Sequence, residues 1–377
     1  MEHPETEQYR RHLCLKGFGE EKQKSLKKSS VLVVGAGGLG CATLQYLVAA
    51  GVGKLGIIDD DKVEISNLQR QILFNHNDLG LPKAEVAASK LLLMNPFIEI
   101  HAHQERLTKE NCGSFFKDYE IVIDGSDNFP TRYLINDACV LFDKPLVHGS
   151  INQFEGMVSV FNFNKGPTYR CLFPDQPDPT SIPTCTESGV LGVLPGIIGC
   201  WQALEAIKII TGLGEALSGK VLLYNALTQS TRIIQLHPVA ENRLIKALPD
   251  PIVSCHNQKQ NSSQQENIKE ISMLDLHEMM QVEKALQILD VREDWERAQY
   301  SIQPSIHKPL GNLLQGSHGW SDLNLDPDKK LVIYCKAGIR SKMACEALHT
   351  QGFSNLFNLS EGMDGWLTKF PDLTTTQ

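Results

Sequence analysis

Little in this 377-residue chain favours a polyanion or a membrane. Lysine and arginine number 36 against 44 aspartates and glutamates, a formal charge of −8, so no global field draws nucleic acid. The opening residues, MEHPETEQYRRH, hold no apolar core and so no secretory signal. Val31 to Gly53 is free of charge and long enough to span a bilayer, but six glycines interrupt it. It reads better as strand, turn and helix. The expectation is a cytoplasmic protein with neither a membrane nor a nucleic-acid partner. Ten cysteines without a secretory signal then read as reduced thiols, serving catalysis or metal binding rather than disulfides.

What is present is ordinary in bulk: 42% hydrophobic and 21% charged residues, the balance of a soluble globular protein. The length leaves room for two or three domains. The most informative stretch runs from Val31 to Gln71. VLVVGAGGLG is an apolar strand entering a glycine-rich turn; a helix, a second apolar strand LGIIDDD, and VEISNLQRQ follow. A helix N-terminus directs unpaired N–H groups and the positive end of its dipole at an anion. Gly35, Gly37, Gly38 and Gly40 let the backbone turn sharply and approach a ligand closely. Asp59 closes the second strand about 20 residues later, where a carboxylate accepts from ribose hydroxyls. No Gly-Lys-Ser/Thr follows the glycines, which excludes a P-loop. The glycines alone leave an NAD-dependent dehydrogenase open beside an ATP-using enzyme.

Residues 6–30 read as a charged helical segment, and the plain role of Arg10 and Arg11 is a solvated face. Thr43 to Ala50 is a helix body ended by Gly51-Val52-Gly53. Asn67, Gln69, Arg70 and Gln71 come just beyond the acidic strand end, placing them over the nucleotide at the carboxyl edge of the sheet. Lys83 opens a helix, against the dipole, and a phosphate would explain its place there. A strand from Tyr119 to Asp124 ends in DGSDN. Asp124 and Asp127 at that edge suit magnesium, which takes carboxylate, phosphate and water oxygens, or else act as turn formers and helix caps. Thr131 to Leu141 is a helix and Leu146 starts a short strand. The alternation in MVSVFNF predicts antiparallel strands added to the parallel sheet. Cys185 lies on a polar, proline-rich loop from Pro174 to Thr186. An apolar helix from Gly196 to Thr211, a hairpin from Gly219 to Ile234 and an ending from Leu236 to Ile252 complete this part.

His256 to Asn267 is polar and aperiodic and reads as a linker. The expected division is a first domain over 1–252, a linker over 253–267 and a smaller α/β domain over 268–377. In the last, strands are expected at Leu286–Asp290 and Leu331–Tyr334. The second leads into Cys335-Lys336-Ala337-Gly338-Ile339-Arg340 and then a helix, SKMACEALHTQG. A cysteine between strand and helix sits where successive N–H groups can surround its sulfur. Arg340 adds positive charge, and both favour a thiolate or a persulfide carried on it. Four residues separate Cys335 from Arg340, one fewer than in a Cys-x5-Arg phosphatase loop, and the smaller ring suits sulfur better than phosphate.

GAGGLG at 35–40, DDDKVEISNLQRQ at 59–71, GLPK at 80–83, DGSDNFPTRYLIND at 124–137 and CTESGVLGVLPGIIG at 185–199 resemble the activating enzymes for ubiquitin-like proteins, in their bacterial MoeB, ThiF and HesA form. ILDVRE at 288–293, CKAGIRS at 335–341 and EGMDGW at 361–366 resemble a rhodanese domain. The fusion is similar to MoeZ and MoeBR proteins and to eukaryotic MOCS and Uba proteins. The resemblance implies a Rossmann-like ATP-binding domain with a mixed sheet, a small α/β rhodanese domain, and a homodimer. It implies ATP-dependent adenylylation of the C-terminal glycine of a small β-grasp sulfur carrier ending in Gly-Gly, of MoaD or ThiS type. Conversion to a thiocarboxylate would follow, with sulfur from a persulfide donor such as a cysteine desulfurase. Molybdenum cofactor biosynthesis is the favoured pathway, thiamine biosynthesis or another sulfur pathway the alternative. A rhodanese module that only docks the donor is a further one.

Carried over by motif, Asp59 would hold the ribose, and Arg11, Asn67, Arg70 and Lys83 the triphosphate, with Arg11 reaching across a dimer interface. Asp127 would bind magnesium, Cys185 would form an adduct with the activated carrier, and Cys335 would carry persulfide sulfur. Two departures stand out. The first Cys-x-x-Cys pair of a zinc site reads Thr168-Tyr169-Arg170-Cys171. No second pair follows between Leu236 and Cys255, so the four thiolates of a zinc site are not expected; Cys171, Cys255 and His256 would be remnants. AQYSIQPSIHKPL also lacks the glycine-histidine pattern usual before a rhodanese strand.

Overall fold

The computed structural model describes residues 3–176, 189–248, 268–283, 285–314, 321–371 and 374–375. The chain divides into two compact units, Met1–Cys255 and His256–Gln377. Cys185 and the whole of 253–267 lie outside the described residues.

The first unit is built on an eight-stranded sheet in the order β3-β2-β1-β4-β5-β6-β7-β8. These strands are β1 (Ser30–Val34), β2 (Lys54–Ile58), β3 (Glu99–His103), β4 (Ile121–Asp124), β5 (Leu146–Asn152), β6 (Glu155–Phe161), β7 (Lys220–Asn225) and β8 (Ser230–Gln235). β3 through β5 run parallel; β6, β7 and β8 add on antiparallel, as the alternation in MVSVFNF predicts. The central strand shows why the sheet is buried on both faces. Val31 and Val33 face one core with the helices Gly38–Ala50, Lys83–Met94 and Val193–Thr211. Leu32 and Val34 face a second core with the helices Cys112–Asp118 and Phe129–Leu141. Side chains alternate along a strand, so a continuous apolar run serves two layers.

From β1 the chain winds outward through β2 and β3, then returns to place β4 on the other side of β1. That reversal opens a crevice at the carboxyl ends of β1 and β4, where ligands bind in open α/β sheets. Backbone contact defines the crevice. Gly35, at φ +96°, lies so near the β4 turn that a Cβ would stand 2.7 Å from Gly125 O. The helix after β1 begins at Gly38, ahead of the body expected from Thr43, and within its first turn Gly40 packs where a Cβ would be 2.0 Å from Gly35 O. Close packing outweighs the modest cost of glycine within a helix.

Residues 6–30 form three helices, His3–Gln8, Arg10–Leu13 and Gly19–Lys28, rather than one segment. Strand β4 starts at Ile121, since Tyr119 ends the preceding helix. The strand expected at Leu146 runs on to Asn152. Val193–Thr211 is the one described helix long and apolar enough to cross a membrane. It packs tightly on Gly38–Ala50 instead: the Thr43 hydroxyl donates to Gly199 O at 3.0 Å, and a Cβ on Gly199 would meet Leu39 O at 2.4 Å.

The second unit holds a parallel five-stranded sheet in the order β12-β10-β13-β14-β9. Its strands are β9 (Ile268–Ile271), β10 (Gln287–Asp290), β12 (Ile306–His307), β13 (Leu331–Tyr334) and β14 (Leu356–Leu359), with β11 (Ser301–Ile302) and β15 (Thr374–Thr375) pairing apart from it. AQYSIQPSIHKPL still yields β12, paired with β10 through Leu289 and Ile306. Central β13 leads directly to Cys335.

Gly40→Ala should destabilise the first unit by about 2 kcal/mol or more, an overpacking cost. Thermal unfolding of the full chain measures it, and a midpoint unchanged from wild type would contradict the packing described.

Candidate active site

The crevice is a pocket lined by Gly35, Gly37, Gly38, Asp59, Arg70, Lys83 and Asp127, together with Asp60, Asp61, Gln71 and Arg132. The helix Gly38–Ala50 begins at the pocket with Gly37 as its N-cap and no side-chain cap, leaving N–H groups for an anion. Asp59 braces the glycine turn: its Oδ2 accepts from Ala36 N–H at 2.7 Å and its Oδ1 from Asp61 N–H at 2.9 Å. Burial pushes the Asp59 carboxyl above the usual carboxylate range, although Lys83 and these two amides oppose it.

Lys83 is 6% exposed in its side chain and is already paired: Nζ lies 2.8 Å from Asp61 Oδ2, and Lys83 N–H donates to Asp61 O. The lysine that opens a helix against the dipole is thus stabilised by a neighbouring carboxylate. Arg70 lines the pocket and donates Nη1 to Ser66 O at 3.0 Å. Asp127 is exposed at the rim. Asp59, Asp60 and Asp61 form the single group among the described residues in which three or more metal-ligating atoms gather, all within 4.8 Å of one another. Gln71 lines the pocket, where its place beyond the acidic strand end puts it, whereas Asp60, Asp61 and Arg132 were not expected there, though the DDD run was a visible signal.

Three expected site residues do not line the pocket. Gly40 acts by helix packing. Asn67 is buried, and its Oδ1 accepts from Glu64 N–H at 3.1 Å, closing a capping box in the turn Ile65–Asn67. Arg11 lies exposed on the short helix Arg10–Leu13. The pairing of Asp124 with Asp127 around magnesium is corrected. Asp124 is 1% exposed and turned inward: Oδ1 accepts from Ser126 N–H and Oγ–H at 2.9 and 2.6 Å, and Oδ2 from His148 Nδ1 at 2.7 Å. Burial would raise the Asp124 carboxyl, but the hydrogen bonds from His148 and Ser126 outweigh it and hold it low. Burial pushes His148 down in turn. The Asp124–His148 hydrogen bond anchors the loop that presents Asp127.

Cys171, expected as a remnant of a zinc site, accepts at Sγ from the N–H groups of Thr168 and Val239, both at 3.3 Å. Burial would raise this thiol, yet Thr168, Val239 and Asn242 together hold it below the ordinary range. Cys255 and His256 lie outside the described residues.

In the second unit Cys335 is 1% exposed and follows β13. Ser341 Oγ–H donates to its sulfur at 3.4 Å. Gly338 caps the next helix, Ile339–Thr350, at φ +84° with no side-chain cap, and a Cβ there would meet Ser360 O at 2.2 Å. Arg340 does not serve as a free charge for the thiol, as the sequence suggests. Its two terminal nitrogens bind both oxygens of Glu296, at 2.6 and 2.8 Å. A bidentate fork with a carboxylate cancels the charge, and the hydrogen bond recorded on the Cys335 sulfur comes from the Ser341 hydroxyl. Burial would raise Glu296, but Arg340 holds it below the usual glutamate range.

An anion pocket at the switch point of one α/β unit, and a cysteine in a strand-to-helix loop of another, define a nucleotide-binding enzyme domain joined to one of sulfurtransferase type. The chain belongs to the ThiF family, which matches residues 9–244, and carries a rhodanese-like domain over residues 272–369. It is 39% identical over 376 residues to a probable adenylyltransferase/sulfurtransferase MoeZ of Mycobacterium tuberculosis, covering 98% of this chain and 95% of that one. A sulfur carrier protein adenylyltransferase of Thermus thermophilus is 51% identical over 233 residues, covering 60% and 86%. Adenylyltransferase and sulfurtransferase MOCS3 of Drosophila yakuba is 38% identical, covering 95% and 82%. Among solved structures, Escherichia coli MccB with AMPCPP and MccA matches at TM-score 0.52 and 21% identity, covering 62% of this chain and 72% of that one. That last likeness concerns the fold.

The Glu296–Arg340 pair gives a pH prediction. A carboxyl held low in the folded state contributes stability above its unfolded pKa and loses it as the pH falls through the folded one. Glu296→Gln should remove that part of the acid-unfolding profile. At neutral pH it should cost about 2 kcal/mol, between the values for surface and buried pairs. Acid and urea unfolding of the full chain measure both, and profiles superimposable on wild type would refute the role assigned to the pair.

Proposed function

We propose that this adenylyltransferase/sulfurtransferase activates the C-terminal glycine of a MoaD-type sulfur carrier with ATP and then delivers sulfur to it, in molybdenum cofactor biosynthesis. The observation that carries the reading is the gathering of a helix N-terminus, Arg70, Lys83 and Asp127 in one pocket with Asp59. Asp59 would accept from the ribose, and the glycine-turn N–H groups would hold phosphate oxygens. The carrier carboxylate attacks the α-phosphorus, and the bond to the departing pyrophosphate breaks. Charge builds on the leaving group, where Arg70 and Lys83 stabilise it; Lys83 exchanges Asp61 for phosphate. Asp127, an exposed carboxylate beside this pocket, suits a hard cation and would hold magnesium, whose charge assists the same departure. Arg11 would complete the pocket of a partner subunit, since in its own chain it lies outside the lining.

A persulfide on Cys335, loaded by a donor such as a cysteine desulfurase, would attack the acyl carbon and expel AMP. A thiol reductant then attacks the Cys335 sulfur, releasing the thiocarboxylate and leaving a mixed disulfide that a second such thiol reduces; Cys185 would form a covalent adduct with the activated carrier. A ThiS-type carrier would be handled by the same chemistry.

ATP–pyrophosphate exchange should depend on a carrier ending in Gly-Gly, tested with MoaD-type and ThiS-type proteins side by side. No exchange with either would refute the reading, and preference for the ThiS type would move the pathway to thiamine. Cys335→Ala should leave exchange within about twofold while abolishing thiocarboxylate formation. Equal loss of both would show that the two units do not divide the work in this way, and sulfur transfer persisting in the variant would reduce the rhodanese unit to docking.

A further inference from the structure

The pocket contains a buried cation that the nucleotide chemistry above does not use. Arg132 sits in the first turn of the helix Phe129–Leu141, is 9% exposed and lines the pocket. Its contacts are few. Nη2 donates to Ser126 O at 3.3 Å, the Tyr169 hydroxyl bonds its side chain, and the Phe129 ring centroid lies 5.3 Å from Cζ. Nε is buried without a hydrogen-bond partner. Among the described residues, no carboxylate forms an ion pair with Arg132. Asp124 feels its charge but is bonded to Ser126 and His148. Lys83, by contrast, is neutralised by Asp61. A buried charge left without a counterion is unfavourable, and so is an unmade N–H bond. Arg132 thus offers an incoming anion an unfilled N–H donor on a buried cation.

The order of the sheet says which anion. The ribose carboxylate, Asp59, follows β2; the phosphate-binding glycine turn follows β1; Asp127 and Arg132 follow β4; Ile151 of β5 lines the pocket next. A nucleotide with its ribose at Asp59 crosses the glycine turn with its phosphates. What lies past them, on the β4 and β5 side, is the place from which the acceptor must approach. We propose that Arg132 binds the incoming C-terminal carboxylate of the acceptor and orients one oxygen toward the α-phosphorus. This rests on the carrier-activation reading above and deepens it. Arg132 is then a substrate-binding residue whose unfilled donor selects for a free carboxyl terminus.

The test uses the full chain preloaded with a non-hydrolysable ATP analogue. It compares binding of a MoaD-type carrier ending in a free glycine carboxylate with the same carrier amidated at that end. Wild type should prefer the carboxylate roughly ten- to hundredfold, the worth of a charged hydrogen bond. Arg132→Gln should bring the two forms within about threefold, and Arg132→Lys should retain part of the preference. A thermal unfolding midpoint close to wild type shows that the variants remain folded, and analogue affinity is measured beside it. If Arg132→Gln keeps the preference, or loses analogue affinity in the same proportion, Arg132 is not the carboxylate anchor, and the carrier-activation reading stands untouched. If wild type binds neither carrier form, both readings fail together.

Discussion

The contact between the Gly35 and Gly125 backbones is the constraint on which the nucleotide half depends. It draws together the turn after β1 and the turn after β4, and only residues without a Cβ permit it. Gly125 N–H donates to Val34 O at 2.8 Å, and Gly35 N–H to Ile58 O at the same distance. Three strand ends are thereby fastened around one point. Asp59 locks the glycine turn from one side and the Asp124–His148 pair locks the Asp127 loop from the other. Each functional group enters the pocket from a backbone already fixed, which is what transition-state stabilisation by pre-placed charges demands.

Elements set by local pattern were legible in the chain. The apolar run and glycines around Gly35, the lysine at the start of Lys83–Met94, the alternation in β6 and the strand-to-helix passage at Cys335 each follow from a few neighbouring residues. What escaped was the choice of partner for side chains. Asp124 meets His148 because β4 and β5 pair in parallel register with those two residues opposite, 24 positions apart. Arg340 meets Glu296 across 44 positions. Asn67, placed on phosphate by its neighbours in SNLQRQ, folds back to cap its own turn. These outcomes depend on which elements become adjacent, and a one-dimensional pattern does not carry that information.

The charges of both units follow one economy. Lys83 and Arg340, the cations most readily assigned to chemistry, rest on internal carboxylates, Asp61 and Glu296. Among the described residues, Arg132 is the buried pocket cation with no carboxylate in an ion pair. A ligand must therefore compete for Lys83 but not for Arg132. The two sites also differ in kind: the first pocket is lined by charged side chains, whereas the recorded partner of the Cys335 sulfur is a neutral hydroxyl, that of Ser341.

The near-complete burial of Cys335 has a consequence for damage as well as for transfer. Oxidation of a thiol to sulfenic and higher acids follows its accessibility, and a sulfur that is 1% exposed is poorly placed for attack by peroxide. A second sulfur bonded to it stands about 2 Å further from the backbone. If Cys335 carries a persulfide as proposed, the atom fixed to the chain is the sheltered one, so an oxidant that reaches the outer sulfur would consume cargo, and a reducing thiol could restore the enzyme.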